Sequence, residues 1–322
     1  MDWNENRENS VKTLKRWGWI ISKTGFTFLL IFWLVKKTGI DALKESFNGL
    51  GFPFIIAIVL AIGFNILKAM KWHYLLNGVG MNVSSGNTIK SYLVGMAGGL
   101  LTPGRVGEIA RLAYLNGFKK SSIIILVMVD KWVDLLVILF LALPGVFYFG
   151  NGFIFILFGL MTLAMIGLYF FPGNLIKWIR MMMKTRFVPF KLKEKIEKIL
   201  EKIPAVGLKF KTIFFFITLS CYILVLIEFY FLLEGKGYGS TGIALTVQPL
   251  VMLTNMFPVT IAGLGVREGS AAILTASWGI PAPVAIHAAF MLFILNTVMP
   301  AILGVFFVLT HRVPQTNNQI EN

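Results

Sequence analysis

Gly98-Gly99-Leu100-Leu101-Thr102-Pro103-Gly104-Arg105-Val106-Gly107-Glu108 interrupts an apolar region with glycines, a Pro-Gly step, an arginine and a glutamate. A stretch of the same make-up lies in the other half of the chain: Phe257-Pro258-Val259-Thr260-Ile261-Ala262-Gly263-Leu264-Gly265-Val266-Arg267-Glu268-Gly269. Proline removes a helix donor and glycine weakens a helix, so each stretch breaks an apolar segment in mid-course. One glycine-rich interruption carries little information. Two, at corresponding places in the halves of a membrane chain, are the pattern of a transporter's binding region.

The surroundings of both stretches are those of an integral membrane protein. The 322-residue chain is 57% hydrophobic and 14% charged, with a mean hydropathy of +0.76. Several runs reach the roughly 20 apolar residues that cross a bilayer. The expected fold is an all-α polytopic membrane domain over residues 18–310, flanked by cytoplasmic tails at 1–17 and 311–322. Six full spans are expected, at about 18–35, 52–69, 121–149, 153–171, 212–233 and 284–310. Two re-entrant helix-break-helix hairpins, 87–115 and 243–278, bring the total to about eight membrane segments. Backbone that leaves the helix at that depth must be buried in protein or face water. The N-terminal residues mix acids and bases without a small-residue cleavage site, and read as a retained tail. Cys221 is the single cysteine, so no disulfide forms within the chain.

Charge sets the expected orientation. Lys12, Lys15 and Arg16 precede the first span and place the N-terminus in the cytoplasm. Residues 177–211 carry eleven bases against three acids, so the loop 172–211 is also cytoplasmic. Leu192, Ile196, Ile199, Leu200 and Ile203 recur there at helical spacing, which suits an amphipathic helix on the anionic inner leaflet as well as a solvated loop. The formal charge of +15 is thereby assigned to topology and anionic lipid, not to nucleic acid. Lys68, at the end of the second span, reads either as a snorkelling interface residue or as a contact to a lipid phosphate.

Asp130, Lys131 and Asp134 are the conspicuous exception. Asp130 lies about 13 Å into the third span, and Asp130 and Asp134 share a face. Intramembrane charges usually turn to a bundle interior or a wet cavity.

Span two, hairpin one and span three form one unit. Span five, hairpin two and the last span repeat it with inverted topology. At each break a half-helix N-terminus presents free N–H groups, and glycines let a ligand approach. Arg105 and Arg267 beside them suit a phosphate. Glu108 and Glu268 would compensate the arginines, meet an amine or carry a proton; the lesser alternative is that the Arg–Glu pairs serve only to fix the hairpins. His73, His287, Asn65, Asn255 and Asn296 read as interhelical hydrogen-bonders. The sequence shows no metal-ligand cluster, nucleophile–base pair or phosphate-binding loop, and no cofactor is expected.

Leu101-Thr102-Pro103-Gly104-Arg105-Val106-Gly107-Glu108-Ile109-Ala110-Arg111 resembles the Pro-Gly-Arg-x-Gly-Glu-x-x-Arg signature of the lysylphosphatidylglycerol synthetase/flippase transmembrane region. Gly263-Leu264-Gly265-Val266-Arg267-Glu268 resembles its Gly-x-Gly-x-Arg-Glu signature. Asp130-Lys131-x-x-Asp134 is similar to its acidic-basic-x-x-Asp element, with Asp and Lys where Glu and Arg are common. The resemblance covers nearly the whole chain and implies movement of lipid between leaflets. In two-part members a soluble domain transfers lysine to phosphatidylglycerol. This chain stops about twelve residues after the last expected span, so that domain is expected to be absent.

The leading expectation is a cell-membrane lipid flippase for an anionic or aminoacylated phospholipid. Its expected site residues are Pro103, Gly104, Arg105, Gly107, Glu108, Arg111, Asp130, Lys131, Asp134, Gly263, Gly265, Arg267 and Glu268. Arg105 and Arg267 would grip the phosphate, with Arg111 as auxiliary. The alternatives are a phosphatidylglycerol lysyltransferase or other membrane-embedded lipid transferase, and a non-transporting partner of a separate synthetase. A homo-oligomer is a further possible assembly.

Overall fold

The computed structural model describes residues 51–115, 117–171, 173, 206–256 and 260–310. The expected first span, most of the basic loop and the two tails lie outside the described residues. Among the described residues all regular structure is helical.

The first half contains α1 (Gly51–Gly78), α2 (Ser85–Leu101), a 3-10 arm (Pro103–Tyr114), α3 (Lys120–Phe149) and α4 (Gly152–Phe170). The second contains α5 (Leu208–Glu234), α6 (Thr241–Thr246), α7 (Gln248–Met256) and α8 (Val266–Ala276). It closes with α9 (Ala282–Phe293), a π turn (Ile294–Val298) and α10 (Met299–Thr310). Among the described residues four helices are long and apolar enough to cross a membrane: α1, α4, α5 and the run Ala282–Thr310.

Local chemistry explains several boundaries. Ser84 caps α2 by accepting from the Asn87 N–H, and Asn151 caps α4 by accepting from Ile154, the usual role of short polar side chains at helix starts. The apolar piece expected over 243–257 divides at Val247, and Pro249 takes the second position of α7, where a missing N–H costs little. The π turn precedes Pro300. Proline there withholds the N–H that a regular helix would direct at the Asn296 carbonyl, and a widened turn absorbs the mismatch.

Both expected breaks exist, with different details. The arm after Pro103 is a 3-10 helix, not an α-helix, and folds back along α2. Gly98 and Gly107 make this approach possible: a Cβ on either would collide with the carbonyl oxygen of the other. The second half-helix starts at Val266, three residues before the expected Gly269, so Arg267 and Glu268 sit in its first turn.

The halves pack reciprocally. α1 lies against α5. α2 packs on α10 of the other half, and α7 packs on α3. The two breaks also meet, since the 3-10 arm touches the Ile261–Gly263 turn.

Candidate functional site

Each break places one non-glycine residue in left-handed backbone, Arg105 at φ 57° and Ala262 at φ 53°. Such a conformation costs an L-residue about 1–2 kcal/mol and is held only by its surroundings. At the first break Thr102 does the holding. Its hydroxyl donates to the Gly98 carbonyl at 2.9 Å and accepts from the Gly107 N–H at 2.6 Å. Its carbonyl accepts from the Arg105 N–H at 3.2 Å. At the second break Gly263 and Gly265 also have positive φ, and Gly263 lies so close to the Asn255 side chain that a Cβ would overlap it.

The charged residues near the first break form one network. Lys71 on α1 is fully buried, and its ammonium lies 2.7 Å from Asp130 and 2.6 Å from Asp134. Lys68, one turn earlier, lies 2.7 Å from Asp134. Arg111 bridges Asp130 at 3.1 Å and Glu108 at 2.8 Å, and its guanidinium stacks over Trp72 at 4.7 Å. Lys131 reaches Glu108 at 2.8 Å. Arg105 is 3.7 Å from Glu108 and donates to the Thr297 hydroxyl at 3.3 Å. Burial in a low-dielectric interior is costly for a lone charge, and mutual pairing is what makes this cluster tolerable.

Lys68 therefore differs from the snorkelling interface residue read in the sequence, and Lys71 lies deeper beside it. Helix α1 continues to Gly78, well past the expected end near residue 69. That length carries both lysines into the bundle opposite Asp130 and Asp134. Lys71 was not among the expected site residues. Thr102 and Thr297 were also missed, since isolated threonines carry no signal.

The Arg–Glu pairs divide. Glu108 belongs mainly to Arg111 and Lys131, with Arg105 a longer contact. Glu268 pairs with Arg267 at 2.7 Å and also accepts from the Gly265 N–H at 2.6 Å. It thus caps its own helix, and its carboxylate stands at the α8 N-terminus where the sequence suggested an anion. The Arg267 guanidinium stacks over Phe293 at 4.3 Å. Arg111 and Arg267 are both committed to carboxylates and aromatic faces. Among the described cations of the cluster, Arg105 and Lys131 are the accessible ones, with side chains 34% and 36% exposed.

These groups surround a cavity of about 990 Å³. Lys68, Arg105, Glu108, Arg111, Asp130, Lys131 and Asp134 line it from the first half of the chain. Asn255, Thr260, Gly263, Arg267, Asn296 and Thr297 line it from the second half, so both breaks face the same space. Met128 and Trp132 on α3 and Met161 on α4 line it and are exposed, which gives the cavity an apolar mouth at these helices. Gly265 and Glu268 are not part of the lining; they support it. Pro103 and Gly104 lie in the backbone of the first break, at the start of the 3-10 arm. Three of the expected interhelical hydrogen-bonders do that work. His73 bonds Thr88, Asn65 accepts from Tyr92, and Asn296 donates to Glu228. Among the described residues no group of three His, Cys, Asp or Glu is arranged to hold a metal ion.

Long apolar helices around a buried, charged cavity define a multi-pass membrane protein with a polar interior site. The family model described as the lysylphosphatidylglycerol synthase TM region matches residues 19–304, and the chain belongs to that family. No curated protein matches the chain.

Proposed function

We propose that the protein moves a phospholipid with an anionic head group between the leaflets of the cell membrane, with both termini cytoplasmic. One observation carries this reading: the two broken segments converge on a single cavity that combines charged walls with an apolar mouth. A lipid has the same division. Its head group suits the charged walls, and its acyl chains can remain outside through the gap at Met128, Trp132 and Met161.

The charge of the site supports an anionic head group. Lys68, Lys71, Arg105, Arg111 and Lys131 stand against Glu108, Asp130 and Asp134 in the network, while Arg267 and Glu268 cancel. Among the described residues the network holds a surplus of two positive charges. Arg105 and Lys131 face the cavity with donors to spare, and these would hold the phosphate. Arg111, Glu108, Asp130 and Asp134 fix their positions. An aminoacylated lipid would bring added amines into this surplus. The left-handed residues at the two breaks are the natural hinges for opening the cavity to either side.

Binding by the purified protein tests this reading. Trp132 is at the mouth, and lipids carrying a bromine-labelled chain would quench it. Phosphatidylglycerol is expected to quench at lower concentration than phosphatidylcholine or lysyl-phosphatidylglycerol, and Arg105→Gln with Lys131→Gln is expected to abolish the preference. Equal quenching by all three lipids would contradict it.

A further inference from the structure

Glu228 stands apart from the network. It lies on α5 and is fully buried. Each of the other buried carboxylates described, Glu108, Asp130, Asp134 and Glu268, has a Lys or Arg partner. Glu228 has one hydrogen bond, from the amide nitrogen of Asn296 to its Oε2 at 2.6 Å. Its other oxygen, Oε1, has no partner, and neither does the amide oxygen Oδ1 of Asn296. Both unsatisfied atoms are acceptors in any ionised description of the pair. Asn296 sits in the π turn and lines the cavity.

A single proton resolves this arrangement. Placed on Oε1, it turns the carboxylate into a carboxylic acid whose O–H can donate to Asn296 Oδ1, while Asn296 Nδ2 donates to Oε2. Closed in this way, the acid–amide pair would satisfy both lone acceptors. Other titratable side chains on the packed helices include Lys68, Lys71 and His73 on α1, Asp130 and Asp134 on α3, and His287 on α9. None of them is a charge partner of Glu228, whose surroundings are set by burial and by Asn296.

We propose that Glu228 and Asn296 form a proton-binding site, occupied in this conformation, through which a proton accompanies the lipid. The coupling part rests on the lipid-moving reading above. An O–H bond forms at Oε1 when a proton arrives from water, and breaks when the proton returns to water through the cavity wall at Asn296. Nothing else is oxidised, reduced or transferred. The packed conformation around α5 and the π turn requires the proton, because its loss leaves a buried charge with one neutral donor. A conformation that wets Asn296 releases it. Alternation between the two then carries a proton with each cycle.

Two measurements on the full chain in lipid bilayers test the proposal separately. The first is infrared spectroscopy at neutral pH. The native protein is expected to show the carbonyl stretch of a protonated carboxyl, and Glu228→Gln is expected to lose it. Absence of the band, or its survival in Glu228→Gln, would overturn the proton site. The second is lipid movement in liposomes under an imposed pH gradient. A one-unit gradient is expected to drive up to about tenfold accumulation of labelled phosphatidylglycerol in one leaflet at one proton per lipid, and none in Glu228→Gln. Native movement that ignores the gradient would overturn the coupling while leaving lipid movement intact. An infrared band that behaves as expected in a protein that moves no lipid would support the proton site and defeat the lipid reading.

Discussion

Replacing Lys71 with Met tests whether the charge network lies in the protein interior. The Lys71 ammonium is fully buried, between Asp130 at 2.7 Å and Asp134 at 2.6 Å, with the Asp130 carbonyl at 3.3 Å. Removing one partner from a buried ion pair costs about 3–5 kcal/mol, because a charge is left uncompensated. Here neither aspartate is orphaned. Asp130 keeps Arg111 at 3.1 Å and Asp134 keeps Lys68 at 2.7 Å. The expected loss is therefore near the lower bound, about 3 kcal/mol. Methionine fills much of the lysine volume, so little of that loss would come from a cavity. The double variant Lys71→Met with Asp134→Asn should fall short of the summed single losses, by a coupling of about 1–3 kcal/mol. Reversible unfolding in mixed detergent, followed by tryptophan fluorescence, reads both quantities. A Lys71→Met loss below about 0.5 kcal/mol, the size of an ordinary surface change, with strict additivity in the double variant, would refute the reasoning. Lys71 would then lie at the interface in water.

Four other outcomes follow from the geometry. Arg105→Gln should leave stability almost unchanged, since the side chain is a third exposed, but weaken phosphatidylglycerol binding about 10- to 150-fold through loss of a charge-assisted contact; titrated tryptophan quenching measures it. Gly107→Ala should destabilise by about 1–3 kcal/mol, because the added carbon meets the Gly98 carbonyl. Gly167→Ala, with open space around it, should be neutral or stabilising in the same unfolding assay. Glu268→Gln should cost about 3 kcal/mol by leaving the Arg267 charge buried without its partner, and unfolding of Arg267→Met with Glu268→Gln should recover part of it.

The breaks were legible because proline and glycine act through local chemistry, and the two stretches stand out within apolar surroundings. Asp130 and Asp134 were legible because an ionised group inside a span needs a reason to be there. Their partners were harder to see. Hydropathy falls at Lys68 and Lys71, so a one-dimensional reading ends the span there and sends both lysines to the surface. The pairing that keeps them inside joins residues about sixty positions apart, which no local pattern encodes. A charge-balance argument would have found it: two buried aspartates on one face call for cations at the same depth, and Lys68 and Lys71 share a helical face. The role of Glu268 was also within reach, because a glutamate three residues after an N-cap position is the capping pattern. The 3-10 form of the first arm was not readable. It depends on the close approach of Gly107 to Gly98, a tertiary contact.

Lipid movement in reconstituted liposomes tests the central claim most directly. The comparison sets the native chain beside the folded double variant Arg105→Gln/Lys131→Gln, with fluorescent phosphatidylglycerol and bleaching of the outer leaflet as the readout. Protection of the label should fall with time for the native chain and stay constant for the variant. Movement at the same rate in both, or no movement of any phospholipid by the native chain, would contradict the account.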